Sequence, residues 1–375
     1  MKITGIRTTP MSIPFRQGYH MRPGSGHGVT TLLVEMDTDA GITGIGETCG
    51  WISVSGIAAM YKDVERLFVG ESPFDVERLF ARAAKVTFLN VTPRFGNRLL
   101  AGLEMACWDL IGKAAGQPVH RLLGGAARGR VGYFGFPQGD GADELAASAR
   151  RIVDDGFLVF YMKVGRGERA DVENTAAVRD AIGDRRLRLD ANEAWDVLTA
   201  VRMIRQLRRF DPEFIEQPTP NHSVEALRQV KEAVDVPIAA DQCVLTPADV
   251  YEVCRRRAAD LIVLGPHETG GLLGLKKAAA IAEAAGINIC MHGVLETGIT
   301  TCAANQILAT IPNLDDGNQI MCQLIEHDVI SSPRLVPDHG ELSVLAGPGL
   351  GFDLDRDAVN EANVRYHKDG QYWFH

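Results

Sequence analysis

Three carboxylates at the ends of short strand-like runs are the residues of this sequence best suited to chemistry. Asp190 ends the run RLRLD, Glu216 ends EFIE and Asp241 ends VPIAAD. They follow one another about 25 residues apart, roughly the length of one strand-plus-helix unit in a parallel α/β fold. This spacing predicts three successive barrel strands that deliver their carboxylates to one mouth.

A cation is expected between these carboxylates. Three carboxylates within about 4 Å of one another repel by several kcal/mol at an effective dielectric constant near 20. Oxygen ligands select a hard ion, and a site that leaves room for water and substrate favours Mg²⁺ over Ca²⁺ or Zn²⁺. A single acidic residue after a strand is more often a helix cap or a surface residue, but three in register favour the metal site.

Lys163 and His292 are the candidate catalytic residues. Lys163 follows the apolar run FLVFYM and would point into the same mouth as a base, although a lysine taken alone is usually a surface residue. His292 ends INICMH, across the predicted barrel, where it could act on the opposite face of a substrate. Asn192 is either a substrate hydrogen-bond donor or a turn residue. Glu296 follows His292 in GVLETGI and is a further candidate substrate contact.

The elements that must position these side chains alternate between strand and helix. An eighth, weaker strand is expected near 318–325, after seven strands near 131–136, 157–164, 186–190, 213–216, 236–241, 259–264 and 287–292. This number of repeats favours a closed α/β barrel over an open, doubly wound sheet. No GxGxxG opens a helix after a first strand, which disfavours a dinucleotide-binding fold.

Three segments make up the expected domain organisation. Residues 1–125 read as antiparallel strands followed by helices, which predicts a small α+β capping domain. Residues 126–340 form the predicted barrel, and the C-terminal segment 341–375 is expected to pack back on the capping domain.

Two stretches of the first segment are candidate substrate loops. Residues 16–28, RQGYHMRPGSGHG, carry His20 and Arg22, which would suit a polar or anionic part of a substrate. Trp51 lies in the second stretch, residues 46–56. A solvated mobile loop has the same composition as a substrate lid, so both interpretations stay open.

Composition and charge exclude several classes of function. The net charge of −9 and the absence of basic blocks argue against nucleic-acid binding. No apolar run is long enough to cross a membrane, and the N-terminus reads as a strand instead of a signal peptide. The seven cysteines are scattered without CxxC pairs, which favours free thiols in a cytoplasmic protein over disulfides or structural zinc.

The sequence resembles the enolase superfamily in its mandelate racemase and muconate lactonizing enzyme branch. The matching motifs occur in family order and are GITGIGE (41–47), CWDLIGKAAGQPVHRLLGG (107–125), MKVG (162–165), DANEAWD (190–196), FIEQP (214–218), AADQ (239–242), TGGLLG (269–274) and LETGIT (295–300). The resemblance implies a modified TIM barrel, (β/α)7β, with an N-terminal α+β capping domain. It also implies Mg²⁺ held by Asp190, Glu216 and Asp241, and abstraction of the proton α to a substrate carboxylate through a metal-stabilised enolate.

The sequence departs from the family pattern around this metal site. The family commonly has Lys-x-Lys on the second barrel strand; the second lysine corresponds to Lys163, but the first position is Tyr161. On the sixth strand, where lactonizing members carry a lysine and racemases the aspartate partner of a histidine, this chain has Gly265. Tyr161 remains a candidate substrate contact.

These departures leave His292 at the racemase position without its usual aspartate. His267 or Glu268 could substitute if the loop after the sixth strand folds inward. Near the last strand, where a carboxylate often contacts the substrate, Gln319 could donate a hydrogen bond instead. A histidine without a carboxylate partner is a weaker base but an adequate acid, which favours elimination over racemisation.

The leading functional hypothesis is therefore Mg²⁺-dependent dehydration of a hydroxy acid. The alternatives are a racemase or epimerase, a cycloisomerase of a carboxylate or amino-acid derivative, and a degenerate barrel that binds metal and ligand without turnover. A barrel lyase of the aldolase type, with a lysine adduct, is a further alternative. The expected partner is a small-molecule carboxylate, with no nucleic acid and no membrane, and family members suggest a homo-oligomer between a dimer and an octamer.

Overall fold

The structure is a computed structural model that describes residues 1–16, 27–49 and 53–372. The candidate substrate contacts His20, Arg22 and Trp51 lie outside these described residues. Within the described ranges, no helix combines the length and the apolar character that a membrane span requires.

The first domain is a three-stranded antiparallel sheet covered by helices, as its sequence predicts. The strands pair in the order β1 (Ile3–Pro14), β2 (Gly28–Thr38) and β3 (Thr43–Cys49). The helices are α1 (Val54–Glu65), α2 (Val76–Val86), α3 (Pro93–Ala115) and α4 (Val119–Leu122), with a 3-10 turn at Leu89–Val91.

Two glycines of the GITGIGE motif let α3 approach β3 closely. A Cβ atom at Gly46 would lie 2.0 Å from the carbonyl oxygen of Gly102, and one at Gly44 would lie 2.2 Å from that of Ala106. Both distances are far below van der Waals contact, so any side chain here would force the helix off the sheet. The motif therefore fixes the packing of the first domain.

The second domain is a curled parallel sheet surrounded by helices. Its strands are β4 (Arg130–Gly132), β5 (Val159–Lys163), β6 (Arg186–Asp190), β7 (Phe214–Glu216), β8 (Ile238–Ala240), β9 (Leu261–Leu264) and β10 (Asn288–Met291), of which β5 to β10 form one parallel sheet in chain order. The helices are α5 (Ala142–Asp154), α6 (Glu168–Ile182), α7 (Val197–Leu207), α8 (Val224–Ala233), α9 (Pro247–Arg256), α10 (Leu272–Ala284) and α11 (Gly298–Leu308), with a 3-10 turn at Arg208–Phe210.

Irregular segments close this sheet into a barrel. Single parallel bridges join Gly135 to Phe160, Tyr133 to Asn318 and Leu314 to Ile289. The closing segment thus lies near residues 314–318, earlier than the eighth strand predicted near 318–325, where Cys322–Leu324 instead forms a 3-10 turn.

Hydrogen bonds from a buried side chain hold this irregular segment, where a regular strand would be held by a ladder of backbone hydrogen bonds. Arg188, which is fully buried on β6, donates to the carbonyl oxygen of Gly317 over 2.6 Å and to the Asp315 carboxylate over 3.1 Å. The first predicted strand, residues 131–136, also differs from expectation. Its start belongs to β4, which pairs antiparallel with β12 (Glu341–Ser343), while only residues after it join the barrel.

The C-terminal segment contacts both domains. It contains β11 (Ile330–Ser332), β12, β13 (Asp353–Leu354) and α12 (Arg356–Asp369). Helix α12 lies against β1, where Asn363 Nδ2 donates to the carbonyl oxygen of Pro10 over 2.8 Å and Ser12 Oγ donates to that of Gly370 over 2.9 Å. The domain boundaries at residues 125 and 340 stay a prediction.

Two buried carboxylates of the first domain bind the start of barrel helices. Glu47, at the end of the GITGIGE motif, accepts hydrogen bonds from the backbone N–H groups of Thr297 and Thr300 at α11. Glu104 accepts from the backbone N–H of Leu272 at α10 over 2.7 Å. Helix N-termini leave N–H groups unpaired and favour negative charge, so these contacts fasten the capping domain to the barrel.

Candidate active site

The parallel register places the three predicted metal ligands side by side. Lys163 lies opposite Asp190 in the pairing of β5 with β6, and Asp190 lies opposite Glu216 in the pairing of β6 with β7. Asp241 directly follows β8, the next strand. All three carboxylate residues are at most 2% exposed. The strand order thus brings the acidic residues of the sequence to one end of the barrel.

Tyr161 and Lys163 supply the hydrogen bonds to this cluster. The Tyr161 hydroxyl lies 2.5 Å from Asp190 Oδ2 and 3.0 Å from Glu216 Oε1, so the two carboxylates share its one proton, and Lys163 Nζ donates to the same Asp190 oxygen. The ring of Tyr161 stacks on Phe134 with a 4.4 Å centroid separation. Burial, followed by the charges of Asp190 and Glu216, raises the pKa of Tyr161 well above its ordinary value, so the phenol is a neutral donor.

The donor set fits a hard divalent cation. Burial, and after it the charges of Asp190 and Asp241, raises the pKa of Glu216 well above its ordinary value. Asp241 Oδ1 is buried, and among the described residues no hydrogen bond is directed at it. Crowded, buried carboxylates with unused acceptor capacity are what a cation would compensate, and their oxygen atoms are the ligands that Mg²⁺ prefers.

The possible metal-ligand atoms that lie close together do not all belong to the three residues expected from the sequence. Single atoms of Glu216, Asp241 and His292 lie within 4.8 Å of one another. The carboxylate of Asp190 is instead turned towards Lys163 and Tyr161. Asp190 and His292 are thus rival candidates for the third ligand, and they differ in donor chemistry, since Mg²⁺ selects oxygen over imidazole nitrogen.

His292 lies between two carboxylates, one of which is Glu268, an alternative to the missing aspartate that the sequence offered; Asp241 is the other, and its contact was not expected. Its Nδ1 lies 2.7 Å from Asp241 Oδ1 and its Nε2 lies 3.1 Å from Glu268 Oε2, in contacts that are short but not linear hydrogen bonds. Burial lowers the pKa of His292, but the charges of Asp241 and Glu268 outweigh it and hold the pKa well above its ordinary value. The imidazolium form is therefore favoured.

The capping domain contributes residues that the sequence did not reveal. Arg98 Nη2 lies 3.0 Å from Glu268 Oε1, and both residues are at most 5% exposed. Arg94 Nη2 donates to the carbonyl oxygen of Gln242 over 2.6 Å. Both arginines lie on α3, in the stretch RFGNRLLAGL. A charged residue at a position of the apolar helix face could have identified Arg98, whereas Arg94 is half-buried and carries no such signal.

A cavity of about 430 Å³ joins these groups at the barrel mouth. Lys163 and His292 both line it, together with Asn192 and Gln319. The Asn192 backbone, with φ of 42°, donates from N to Asp190 Oδ1 over 2.7 Å. Gln319 Oε1 accepts from the backbone N–H of Gly293 over 2.8 Å, which ties it to the loop after His292.

Glu296 does not line this cavity. It is 1% exposed, and its Oε2 accepts from the backbone N–H of Val294 over 2.5 Å. Burial, with the charge of Glu47 as the next cause, raises the pKa of Glu296 to about 8. Its position therefore gives no support to the predicted substrate contact.

The fold and the site define a member of the enolase superfamily. The model of the enolase C-terminal domain-like family matches residues 144–358. The model of the mandelate racemase / muconate lactonizing enzyme N-terminal domain matches residues 3–124. The chain belongs to the mandelate racemase and muconate lactonizing enzyme branch, as the motifs predicted.

Relatives catalyse three kinds of reaction. The chain is 32% identical over 381 residues to muconate cycloisomerase 1 of Rhodococcus opacus, covering 96% of this chain and 98% of that protein. It is 29% identical over 415 residues to a probable glucarate dehydratase of Streptomyces coelicolor, covering 98% and 93%. A dipeptide epimerase from Enterococcus faecalis, crystallised with Mg and the dipeptide L-Leu-L-Tyr, superposes with a TM-score of 0.87 at 27% identity and covers 94% and 100%.

These comparisons show an enolase-superfamily enzyme of the lyase or isomerase type. The relatives share the reaction type of the superfamily, but their names show that they differ in substrate and product.

Proposed function

We propose that this chain is an Mg²⁺-dependent dehydratase that removes the proton α to the carboxylate of a hydroxy acid. The observation that carries this proposal is that Lys163 and His292 face one cavity from the second and the seventh strand of the barrel, next to the buried carboxylates. A base and an acid on different sides of a substrate are what an elimination requires.

Asp190, Glu216 and Asp241 are the proposed metal ligands. When bound there, Mg²⁺ would supply positive charge next to the negative charge that develops on the substrate carboxylate. Tyr161 would orient two of these ligands, because its hydroxyl proton is directed at Asp190 and Glu216.

Lys163 is the proposed base. Its ammonium group lies at the end of β5 beside Asp190, with a side chain that is 15% exposed and therefore reachable from the cavity. In its neutral form, Lys163 would accept the α-proton of the substrate, while Asn192 and Gln319 bind its polar groups from the cavity wall.

His292 is the proposed acid. It lines the same cavity as Lys163, and the Glu268 carboxylate, 3.1 Å from its Nε2, would stabilise the imidazolium that carries the proton. From a substrate with hydroxyls on both the α- and the β-carbon, His292 would protonate the departing β-hydroxyl as the C–O bond breaks, which releases water and leaves an enol that tautomerises to a 2-keto acid. The proton lost to Lys163 and the proton given by His292 balance the overall loss of one water molecule.

Epimerisation is the second candidate, and the contact between Glu268 and His292 favours it. A carboxylate that orients a histidine would also support its neutral form as a base, which could exchange the α-proton on the opposite face. Cycloisomerisation has less support, because Gly265 stands where lactonizing members of the family carry a lysine.

Product analysis separates these candidates. The chain is incubated with Mg²⁺ and a library of hydroxy acids and N-acylated amino acids, and products are followed by NMR. A 2-keto acid, formed with loss of water, supports the dehydratase. A diastereomer of unchanged mass supports the epimerase, and no turnover of any carboxylate that binds with Mg²⁺ contradicts both.

A further inference from the structure

We infer that Glu268 and Arg98 are positioning residues for His292, so that the capping domain completes the acid–base apparatus of the barrel. This inference rests on the proposed function, because it assigns how one of its two reactive groups is held.

The end of the sixth strand is shaped to admit the Glu268 carboxylate. A Cβ atom at Gly265 would lie 2.6 Å from Glu268 Oε2 and 3.1 Å from His292 Cδ2. Glycine at this strand end therefore leaves the space that the glutamate carboxylate occupies beside the histidine ring. Any side chain at position 265 would compete with Glu268 for that space.

A tight turn carries Glu268 back over the strand end. The backbone N–H of Thr269 donates to the carbonyl oxygen of Gly265 over 3.1 Å, and the Thr269 hydroxyl donates to the same oxygen over 2.9 Å. Glu268, which lies within this turn, is thus directed towards the barrel mouth and not towards solvent. Its 4% exposure agrees with that direction.

The capping domain holds Glu268 at two points. Asn97 Nδ2 donates to the Glu268 backbone carbonyl over 2.5 Å, and Arg98 Nη2 lies 3.0 Å from the carboxylate atom Oε1. The other carboxylate atom, Oε2, is the one near His292. Each oxygen of Glu268 therefore has its own partner, and the two partners belong to different domains.

This arrangement gives Arg98 an indirect role in the reaction. A carboxylate beside a reactive histidine fixes the orientation of the ring, and an outer arginine fixes the carboxylate. A capping domain with residue 98 altered would still cover the site, but it would leave Glu268 free to turn away from His292.

The test compares two rates in D₂O with Mg²⁺, using a dihydroxy acid from the substrate library that the chain turns over. Exchange of the substrate α-proton requires Lys163, whereas formation of the 2-keto acid also requires the proton that His292 gives to the departing hydroxyl. In Glu268→Gln, the Lys163-dependent exchange should stay within about threefold of wild type. The step that requires His292 should fall by about 10²-fold or more, since removing the carboxylate from such a pair costs at least that much in comparable sites.

Relocation of the carboxylate provides the rescue. The double variant Gly265→Asp, Glu268→Ala moves the carboxylate from the turn to the strand end. The alanine removes Glu268 Oε2, the atom that lies nearest to a side chain at position 265, and so makes room for the aspartate. Arg98→Met should slow the His292-dependent step in the wild-type background and change it by less than about threefold in the relocated background. If the relocated variant does not fold, Glu268→Asp takes its place in the test. It keeps the negative charge but moves it away from His292, so the His292-dependent step should have an intermediate rate.

Glu77→Gln is the matched control, because Glu77 forms an exposed ion pair with Lys277 between the two domains, outside the cavity. It should leave both rates unchanged. Equal losses of α-exchange and of keto-acid formation in Glu268→Gln, or no change in either rate, overturn the inference. If wild type shows no exchange with any bound carboxylate, the proposed function fails instead, and the two failures are thus distinguishable.

Discussion

Lys163 lies opposite Asp190 in the parallel register of β5 and β6, and its ammonium group donates to the Asp190 carboxylate. The proposed base is therefore held by a proposed metal ligand on the neighbouring strand. Because the two residues share one hydrogen bond, metal binding and base function should be coupled in this chain.

The first prediction concerns which side chains bind the metal. Asp190→Asn, Glu216→Gln and Asp241→Asn should each weaken Mg²⁺ binding by at least about 100-fold, since even outer partners of a metal site are worth 10- to 100-fold. His292→Gln should weaken binding less than these three changes, because His292 contacts Asp241 without binding the ion itself. Calorimetric titration measures all four. Loss of affinity in His292→Gln with retention in Asp190→Asn would show that the histidine is the third ligand.

The second prediction is that Mg²⁺ binding releases protons. Burial and the neighbouring charges of Asp190 and Asp241 raise the pKa of Glu216, so in the metal-free chain this carboxyl keeps its proton to higher pH. A cation must displace that proton, and the affinity should therefore rise with pH and fall as the pH is lowered. Titrations in two buffers of different ionisation enthalpy count the released protons. An affinity independent of pH between 5 and 8 would contradict this account.

The third prediction concerns the Tyr161 hydroxyl. Tyr161→Phe removes the donor shared by Asp190 and Glu216, and hydrogen bonds to charged groups contribute about 1.5–3 kcal/mol. The metal-free chain should lose about that much free energy of unfolding, and saturating Mg²⁺ should reduce the loss because the cation compensates the same carboxylates. Urea denaturation with and without Mg²⁺ measures both. Tyr366→Phe, on α12, is the control, and an equal loss with and without Mg²⁺ would count against the assignment.

The fourth prediction concerns the buried carboxyl of Glu296. Its pKa of about 8 lies above the ordinary value of 4.5, so the folded chain keeps a proton that the unfolded chain has lost. Stability should therefore fall as pH rises from about 4.5 to 8, by up to about 1.4 kcal/mol per pH unit from this group. Glu296→Gln should flatten that dependence, whereas Glu77→Gln at an exposed carboxylate should not. Parallel stability curves for wild type and Glu296→Gln would disprove the raised pKa.

The sequence predicted the barrel and the acidic cluster because both depend on local patterns. Asp190, Glu216 and Asp241 each end a run with strand character, and parallel strands in chain order can bring such ends together in only one way. Lys163 and His292 follow from the same rule, and both line the cavity. Their roles in catalysis and metal binding stay predictions.

The partners of His292 could not be predicted with the same rule. Glu268 reaches the histidine through a turn after β9, and Arg98 reaches Glu268 from another domain. Neither contact has a fixed spacing in the chain, because both depend on how a loop and two domains pack. The eighth strand was misplaced for a related reason: the run IMCQLI is buried and apolar, but the segment before it closes the barrel through isolated bridges.

Hydrogen–deuterium exchange at the α-carbon tests the central claim most directly. A set of 2-hydroxy carboxylates is incubated with the chain in D₂O and followed by proton NMR, with Mg²⁺ present or removed by a chelator. We predict that wild type incorporates deuterium only with Mg²⁺. At saturating Mg²⁺, and at a temperature where the variant is folded, Lys163→Ala should lower the rate by about 10²- to 10⁴-fold. Exchange that survives in Lys163→Ala, or its absence for every carboxylate that binds in an Mg²⁺-dependent way, would contradict the account.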